Sequence, residues 1–235
     1  MSILEVKDVH TFYGTSHILF GISMAVDEGE LVSLLGRNGA GKTTTLRSIM
    51  GLTSIHTGSI RFRGEEIGRK PAYFIAKQGI GYVPDERLIF PDLTVWENLD
   101  IASRKPKRRE QEWTKERVYE LFPVLKEMEK RLGGALSGGQ QQMLTLGRTL
   151  MTNPLMLLLD EPAEGLAPLV VKMLAEKIQG LKEQGMSILL SEQNVKFAMK
   201  LSDRAYVIEK GLIRYQGRIT ELEENVEVKR RYLMV

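Results

Sequence analysis

Leu31-Val32-Ser33-Leu34-Leu35-Gly36-Arg37-Asn38-Gly39-Ala40-Gly41-Lys42-Thr43 is an apolar run that passes without a break into a glycine-rich one. Near-continuous apolar residues describe a strand buried on both faces, as in a parallel sheet. Gly36 to Thr43 fits G-x-x-x-x-G-K-[ST], and a helix follows, with Leu46, Ile49 and Met50 on its buried side and Gly51 at its end. By composition, a chance match is on the order of one in a hundred per chain, and the strand-loop-helix context lowers that further. The glycines let backbone amides curl around phosphates, Lys42 adds a fixed charge, and the Thr43 hydroxyl can ligate Mg²⁺. The nucleotide contacts expected here are Gly36, Arg37, Asn38, Gly39, Ala40, Gly41, Lys42, Thr43 and Thr44. A merely tight turn would leave an inward lysine unexplained.

Upstream, Ile3 to Lys7 alternates, and Ile18, Phe20, Ile22, Met24 and Val26 alternate more strongly up to a turn at Asp27-Glu28-Gly29. Downstream, Ile60 and Phe62 alternate with arginines, and Ile80-Gly81-Tyr82-Val83 is a further short strand. From about Phe90 to Met151 the patterning turns helical, with a capping box at Thr94 and Glu97 and a break at Pro123 among Trp113, Val118, Leu121, Phe122 and Leu125. After Asn153-Pro154 strand-helix alternation resumes: Leu155 to Leu159, a helix opened by Pro168, and Ser187 to Leu190. A hairpin turning at Glu209-Lys210-Gly211 and a helix capped at Thr220 and Glu223 complete the chain. The expected fold is one α/β P-loop NTPase domain over 1–235. Its RecA-like core with an antiparallel β-subdomain occupies about 1–89 and 152–235, and a helical lobe is inserted at about 90–151.

With 235 residues, 43% of them hydrophobic, there is enough chain for one core or a core with a lobe. The 33 basic and 30 acidic residues nearly cancel, so no nucleic-acid footprint is expected. The absence of cysteine excludes disulfides and thiolate metal sites. No apolar run approaches the roughly 18 residues of a membrane span, and Glu5, Lys7 and Asp8 interrupt any signal-like segment. Any membrane role is therefore expected to come through a partner.

Two further motifs carry chemistry. Leu136-Ser137-Gly138-Gly139-Gln140 precedes a periodic run (Met143, Gly147, Leu150, Met151) that reads as a helix starting there. Its glycines leave backbone N–H groups uncovered at the positive end of the dipole, an anion site; the plain alternative is a Ser-Gly helix cap. Asp160 ends an all-apolar strand, where an acid has no packing reason to be, and suits a Mg²⁺ role. Strand alternation turns Glu161 away from Asp160, where a carboxylate beside the γ-phosphate can act as general base.

In that order, the phosphate loop, Leu136–Gln140 and Leu158-Leu159-Asp160-Glu161-Pro162 resemble the ATP-binding subunit of an ABC transporter over nearly the whole chain. The resemblance implies ATP sandwiched between two such subunits. Leu136, Ser137, Gly138, Gly139 and Gln140 of one would then face the γ-phosphate held by the other. It also implies that Tyr13 stacks on adenine, with a plain strand-end aromatic as the alternative. Two integral membrane permeases, and indirectly a solute-binding protein, are the implied partners at the cytoplasmic face of the membrane.

Three positions depart from the common pattern. Asp85 stands where many members have glutamine, Gln193 where most have histidine, and Ala167 where the loop after Glu161 usually ends in aspartate. With Ile89-Phe90-Pro91 and Leu93-Thr94-Val95, these resemble the ATP-binding subunits of branched-chain amino acid importers. The resemblance implies Thr43, Asp85 and Asp160 as Mg²⁺ ligands, with Lys42, Glu161 and Gln193 at the reacting phosphate. Gln193 can donate a hydrogen bond but cannot carry charge as imidazole does. The departures imply a second, non-identical ATP-binding subunit, with a homodimer as the alternative. A soluble ABC ATPase acting on DNA or ribosomes usually has two cassettes or a long insertion, and neither is seen here. A non-hydrolysing nucleotide sensor is the other rival. The basic run Arg104–Arg109 reads as a solvated loop of the helical lobe, with a lipid-phosphate contact as the alternative. Lys229–Arg231 reads as exposed, and His10, His17 and His56 lack metal-ligand spacing.

Overall fold

The computed structural model describes residues 1–104 and 112–233. Strands β1 (Ser2–Tyr13), β2 (Ser16–Asp27), β4 (Ile55–Phe62) and β5 (Glu65–Glu66) form an antiparallel sheet in the order β2-β1-β4-β5. Strands β3 (Leu31–Leu35), β6 (Ile80–Val83), β7 (Met156–Asp160), β8 (Ser187–Glu192), β9 (Arg204–Glu209) and β10 (Leu212–Arg218) form the second sheet, ordered β10-β9-β3-β8-β7-β6. Its neighbours are parallel except for the β9–β10 hairpin, where Lys210 and Gly211 take positive φ, as a tight hairpin turn needs.

Alternation along the parallel strands divides the core into two layers. Leu31, Leu35, Leu157 and Leu159 pack with the helices on one side, whereas Val32, Leu34, Met156 and Leu158 pack under the antiparallel sheet. This is why the central strands are apolar throughout: neither face reaches water. Helix α1 (Lys42–Ile49) lies on the antiparallel-sheet side and ends at Gly51, where a Cβ would sit 2.4 Å from the Lys70 carbonyl. Helix α2 (Ala72–Gln78) leads into β6.

Between β6 and β7 the described residues hold α3 (Val95–Asp100), α4 (Lys115–Leu121), α5 (Pro123–Glu127) and α6 (Gly138–Leu150). The capping box at Thr94 is present: the Thr94 N–H donates to Glu97 Oε2 at 2.7 Å, and the Glu97 N–H donates to Thr94 Oγ1 at 3.2 Å. Pro123 starts α5 where α4 ends at Phe122, whose backbone is no longer helical. Pro168 opens α7 (Pro168–Glu183), whose Leu174, Ile178 and Leu181 are buried, and α8 (Val195–Leu201) follows β8. One cap differs from expectation. Helix α9 (Ile219–Glu224) starts from Arg218, whose N–H donates to Glu221 Oε2 at 3.1 Å, rather than from Thr220 and Glu223. The β10 ladder pairs Arg218 with Arg204, so the strand's last paired residue becomes the cap.

The parallel register puts the ends of four strands side by side. Leu35 pairs with Glu192, Ser191 with Asp160, and Leu159 with Val83. Gly36, Gln193, Glu161 and Asp85 therefore leave the sheet at one edge, where ligands of open α/β sheets bind.

Candidate active site

The phosphate loop is built so that its amides stay free. Helix α1 begins at Gly41, φ +112°, with no side-chain cap and no acid in its first turn. Gly36 admits no Cβ, which would lie 2.5 Å from the Ile208 carbonyl. Arg37, Asn38 and Gly39 are exposed, whereas Ala40, Gly41 and Thr44 are buried. Lys42 is only 3% exposed, and its Nζ donates to the carbonyls of Gly36 at 2.8 Å and Arg37 at 3.1 Å. Its third partner is Glu161 Oε1, at 3.0 Å. The buried cation is thus satisfied by three oxygens, of the kind a phosphate can replace.

Asp160 is fully buried at the end of β7. It accepts from Ser191 Oγ at 2.7 Å, Tyr82 OH at 3.1 Å and Thr43 Oγ1 at 3.2 Å. Burial raises its pKa, against the lowering effect of those three hydroxyls. Tyr82 is held protonated, its pKa pushed well above the usual phenol range by burial and then by the Asp160 charge. Asp85 is exposed and its charge is felt at Asp160. Glu161 does not reach its place by strand alternation. The strand ends at Asp160, and Glu161 takes a left-handed φ of +43°, anchored by its N–H to the Ser191 carbonyl at 3.0 Å. That conformation costs a non-glycine residue about 1–3 kcal/mol and is the kind of strain found at working sites. Gln193 is exposed immediately after β8, and Tyr13, 46% exposed at the end of β1, lies 3.3 Å through its hydroxyl from Thr53 Oγ1.

Leu136–Gln140 opens α6 with Ser137 as its cap. Ser137 Oγ accepts the Gln140 N–H at 3.4 Å, and Gln140 Oε1 accepts the Ser137 N–H at 2.9 Å. The cap and the anion-site readings are compatible, because a hydroxyl that accepts from Gln140 still has its own proton to donate. Leu136 is buried and Ser137 exposed. The glycines also serve packing: a Cβ on Gly139 would lie 2.9 Å from Val170 Cγ1, and one on Gly138 would lie 2.7 Å from Arg87 Nη1. Among the described residues, no hydrogen bond joins Leu136–Gln140 to the phosphate loop. The chain therefore carries two helix starts whose chemistry suits an anion, with no hydrogen bond between them among the described residues.

A family model described as ABC transporter matches residues 19–164, which spans the phosphate loop, Leu136–Gln140 and Asp160-Glu161. The chain belongs to the ABC transporter family. It is 42% identical to the high-affinity branched-chain amino acid transport ATP-binding protein BraG of Pseudomonas aeruginosa, over 98% of this chain and 99% of that one. It is 35% identical to the lipopolysaccharide export system ATP-binding protein LptB of Haemophilus influenzae, over 99% of this chain and 98% of that protein. It also superimposes, at a TM-score of 0.82 and 28% identity, on the ADP conformation of an ATP-binding cassette of an ABC transporter, covering 98% of each chain. As an ABC ATPase it binds and hydrolyses ATP, and subunits of this kind work with membrane permeases. Among the described residues no helix is long and apolar enough to cross a membrane.

Several residues of this ABC site escape motif reading. Tyr82 and Ser191 hold Asp160, and a serine within the apolar run Ile188 to Ser191 was the available signal. Arg87, at φ +51°, donates through Nη2 to the Glu164 carbonyl at 2.6 Å and so ties the loop after β6 to the loop after Glu161. No sequence pattern announces that contact. The basic run after Arg104 lies outside the described residues. His10 Nδ1 and His17 Nε2 are 3.1 Å apart, but no group of three or more His, Cys, Asp or Glu fit to hold a metal occurs among the described residues.

Proposed function

We propose that this chain energises an importer of branched-chain amino acids. It would be one of two ATP-binding subunits, peripheral on the cytoplasmic face of two permease subunits that receive solute from a binding protein. The observation that carries the solute class is the 42% identity to BraG over nearly both full lengths, against 35% for the export-system LptB. The departures at Asp85, Ala167 and Gln193 support a non-identical partner rather than a second copy.

ATP lies on the phosphate loop with adenine against Tyr13, and the triphosphate takes Lys42 from Glu161. Thr43 Oγ1 and Asp160 Oδ1, 3.2 Å apart, are hard oxygens of the kind Mg²⁺ takes with phosphate and water, and Asp85 adds a nearby carboxylate. When bound, that ion would neutralise phosphate charge. The released Glu161 carboxylate accepts a proton from water as its oxygen attacks the γ-phosphorus. The bond to the β–γ bridging oxygen breaks, leaving ADP and inorganic phosphate. Gln193 donates to the γ-phosphate from the loop that follows β8. Ser137 and the Gly139 N–H of this chain would in turn complete the cage around the ATP held by the second subunit, so ATP binds the closed pair better than the open one. Hydrolysis removes that bridge and the pair opens.

A pull-down of the full chain from native membranes tests the assignment. Amino-acid permeases and a second ATP-binding subunit are expected; sugar or lipopolysaccharide permeases would overturn the solute class and leave the ATPase intact. ATP turnover in the purified complex is expected to vanish with EDTA and return with Mg²⁺.

A further inference from the structure

Glu192 sits where three loops of the site meet. Its backbone carbonyl accepts the Gly36 N–H at 3.3 Å, at the mouth of the phosphate loop. Its side chain reaches the other two. Oε1 accepts the Ala163 N–H at 3.4 Å, two residues past Glu161, and Oε2 accepts the Asn194 N–H at 3.1 Å, next to Gln193. The residue is 2% exposed, and among the described residues no lysine, arginine or histidine pairs with it.

Burying a carboxylate without a counter-charge is expensive, and an apolar residue at the end of β8 would avoid the cost. The cost is visible in its pKa, which burial pushes up to about 7, with the Glu161 charge adding to the rise. What the carboxylate alone provides is two acceptor arms. A glutamine would accept one N–H and present a donor to the other. Only the ionised acid holds both loops at once.

We propose that Glu192 is a positioning residue for hydrolysis, its one buried carboxylate fastening the loop that carries Glu161 to the loop that carries Gln193. The base and the γ-phosphate-facing amide then advance or withdraw as a unit. Glu192 touches no reacting atom and acts through backbone amides, those of Ala163 on one loop and of Asn194 and Gln193 on the other. The proposal rests on the assignment of Glu161 and Gln193 made above. Nucleotide binding should be little affected, because Lys42 Nζ keeps the Gly36 and Arg37 carbonyls and the uncapped amides of α1 do not depend on the Glu192 side chain.

The test compares Glu192→Gln, Glu161→Gln and native chain in the complex purified from native membranes. It reads kcat, ATP affinity and thermal midpoint. Glu192→Gln is expected to lose about tenfold or more in kcat, as misplaced catalytic groups do, with ATP affinity within about threefold of native. Its thermal midpoint at pH 8 should be no lower than native, since a buried charge has gone. Glu192→Asp keeps the charge but withdraws it by one methylene. It should show the same kcat loss, and it carries the test alone if the glutamine variant does not fold. Native kcat in a folded Glu192 variant beside an inactive Glu161→Gln would overturn the proposal. So would a parallel loss of kcat, affinity and midpoint, the mark of a merely structural residue. Native turnover in Glu161→Gln would instead overturn the assignment of the base.

Discussion

The starts of α1 and α6 are both glycine-opened helix ends, and they are finished differently. Gly41 gives α1 no side-chain cap, so its first amides are left free, and a buried Lys42 beside them is balanced by two carbonyls and Glu161. Ser137 and Gln140 cap α6 reciprocally, and the start is part-exposed. The first end is a socket whose shape and charge suit a phosphate. The second is a stable helix start that can donate to an anion brought by something else. A capped end can wait on an open surface, whereas uncapped amides beside a buried cation need the shelter of the core. The proposed division of labour between two subunits rests on that difference.

The comparison breaks most readily at Lys42 and Glu161. Glu161→Gln should lower ATP turnover by about a hundredfold or more while ATP binding persists, the usual cost of removing a general base. Lys42→Ala should abolish both, because it also strips Glu161 of its counter-charge; nucleotide binding by equilibrium titration separates the two. Gly139→Ala tests the other end: a Cβ 2.9 Å from Val170 Cγ1 should cost about 1–3 kcal/mol of stability in denaturant melts. It should also reduce turnover only through the partner's site.

Glu192 sharpens the socket side through pH. Its carboxyl is raised from 4.5 to about 7 by burial, so its stabilising contribution is complete below pH 4.5 and is lost as pH rises through 7. The thermal midpoint should therefore fall between pH 5 and pH 8, and the fall should be smaller in Glu192→Gln. Ser137→Ala should cost about 1 kcal/mol as a lost cap and slow turnover, whereas Ser137→Thr should keep the cap. The smallest effect is expected from Arg87→Ala, which frees the Glu164 carbonyl on an exposed loop. A stability loss of about 1 kcal/mol, with turnover within about threefold, would fit a tether.

Much of this was legible in the chain because the signals are local. An apolar run ending in glycines and a lysine specifies strand, loop and helix, and two acids after an apolar strand mark a sheet edge. Thr94 with Glu97 and Pro168 state their own helix starts, since the bonds involved span only a few residues. The cap of α9 was misread because Arg218 belongs to the β10 ladder, and strand pairing lies outside any short window. Alternation also failed at Glu161, whose left-handed backbone is imposed by the Ser191 carbonyl on a strand remote in sequence.

The sequence alone determined the order of elements, the phosphate loop, the helix start at Leu136–Gln140 and the two acids at the end of β7. Each depends on residues within a turn or a strand of one another. Only the tertiary structure decided that Tyr82 and Ser191 hold Asp160, that Lys42 rests on Glu161, and that Glu192 joins two loops. Those contacts arise where parallel strands distant in the chain end side by side, and a hydrogen bond across such a gap leaves no periodicity for a reader of the sequence to find.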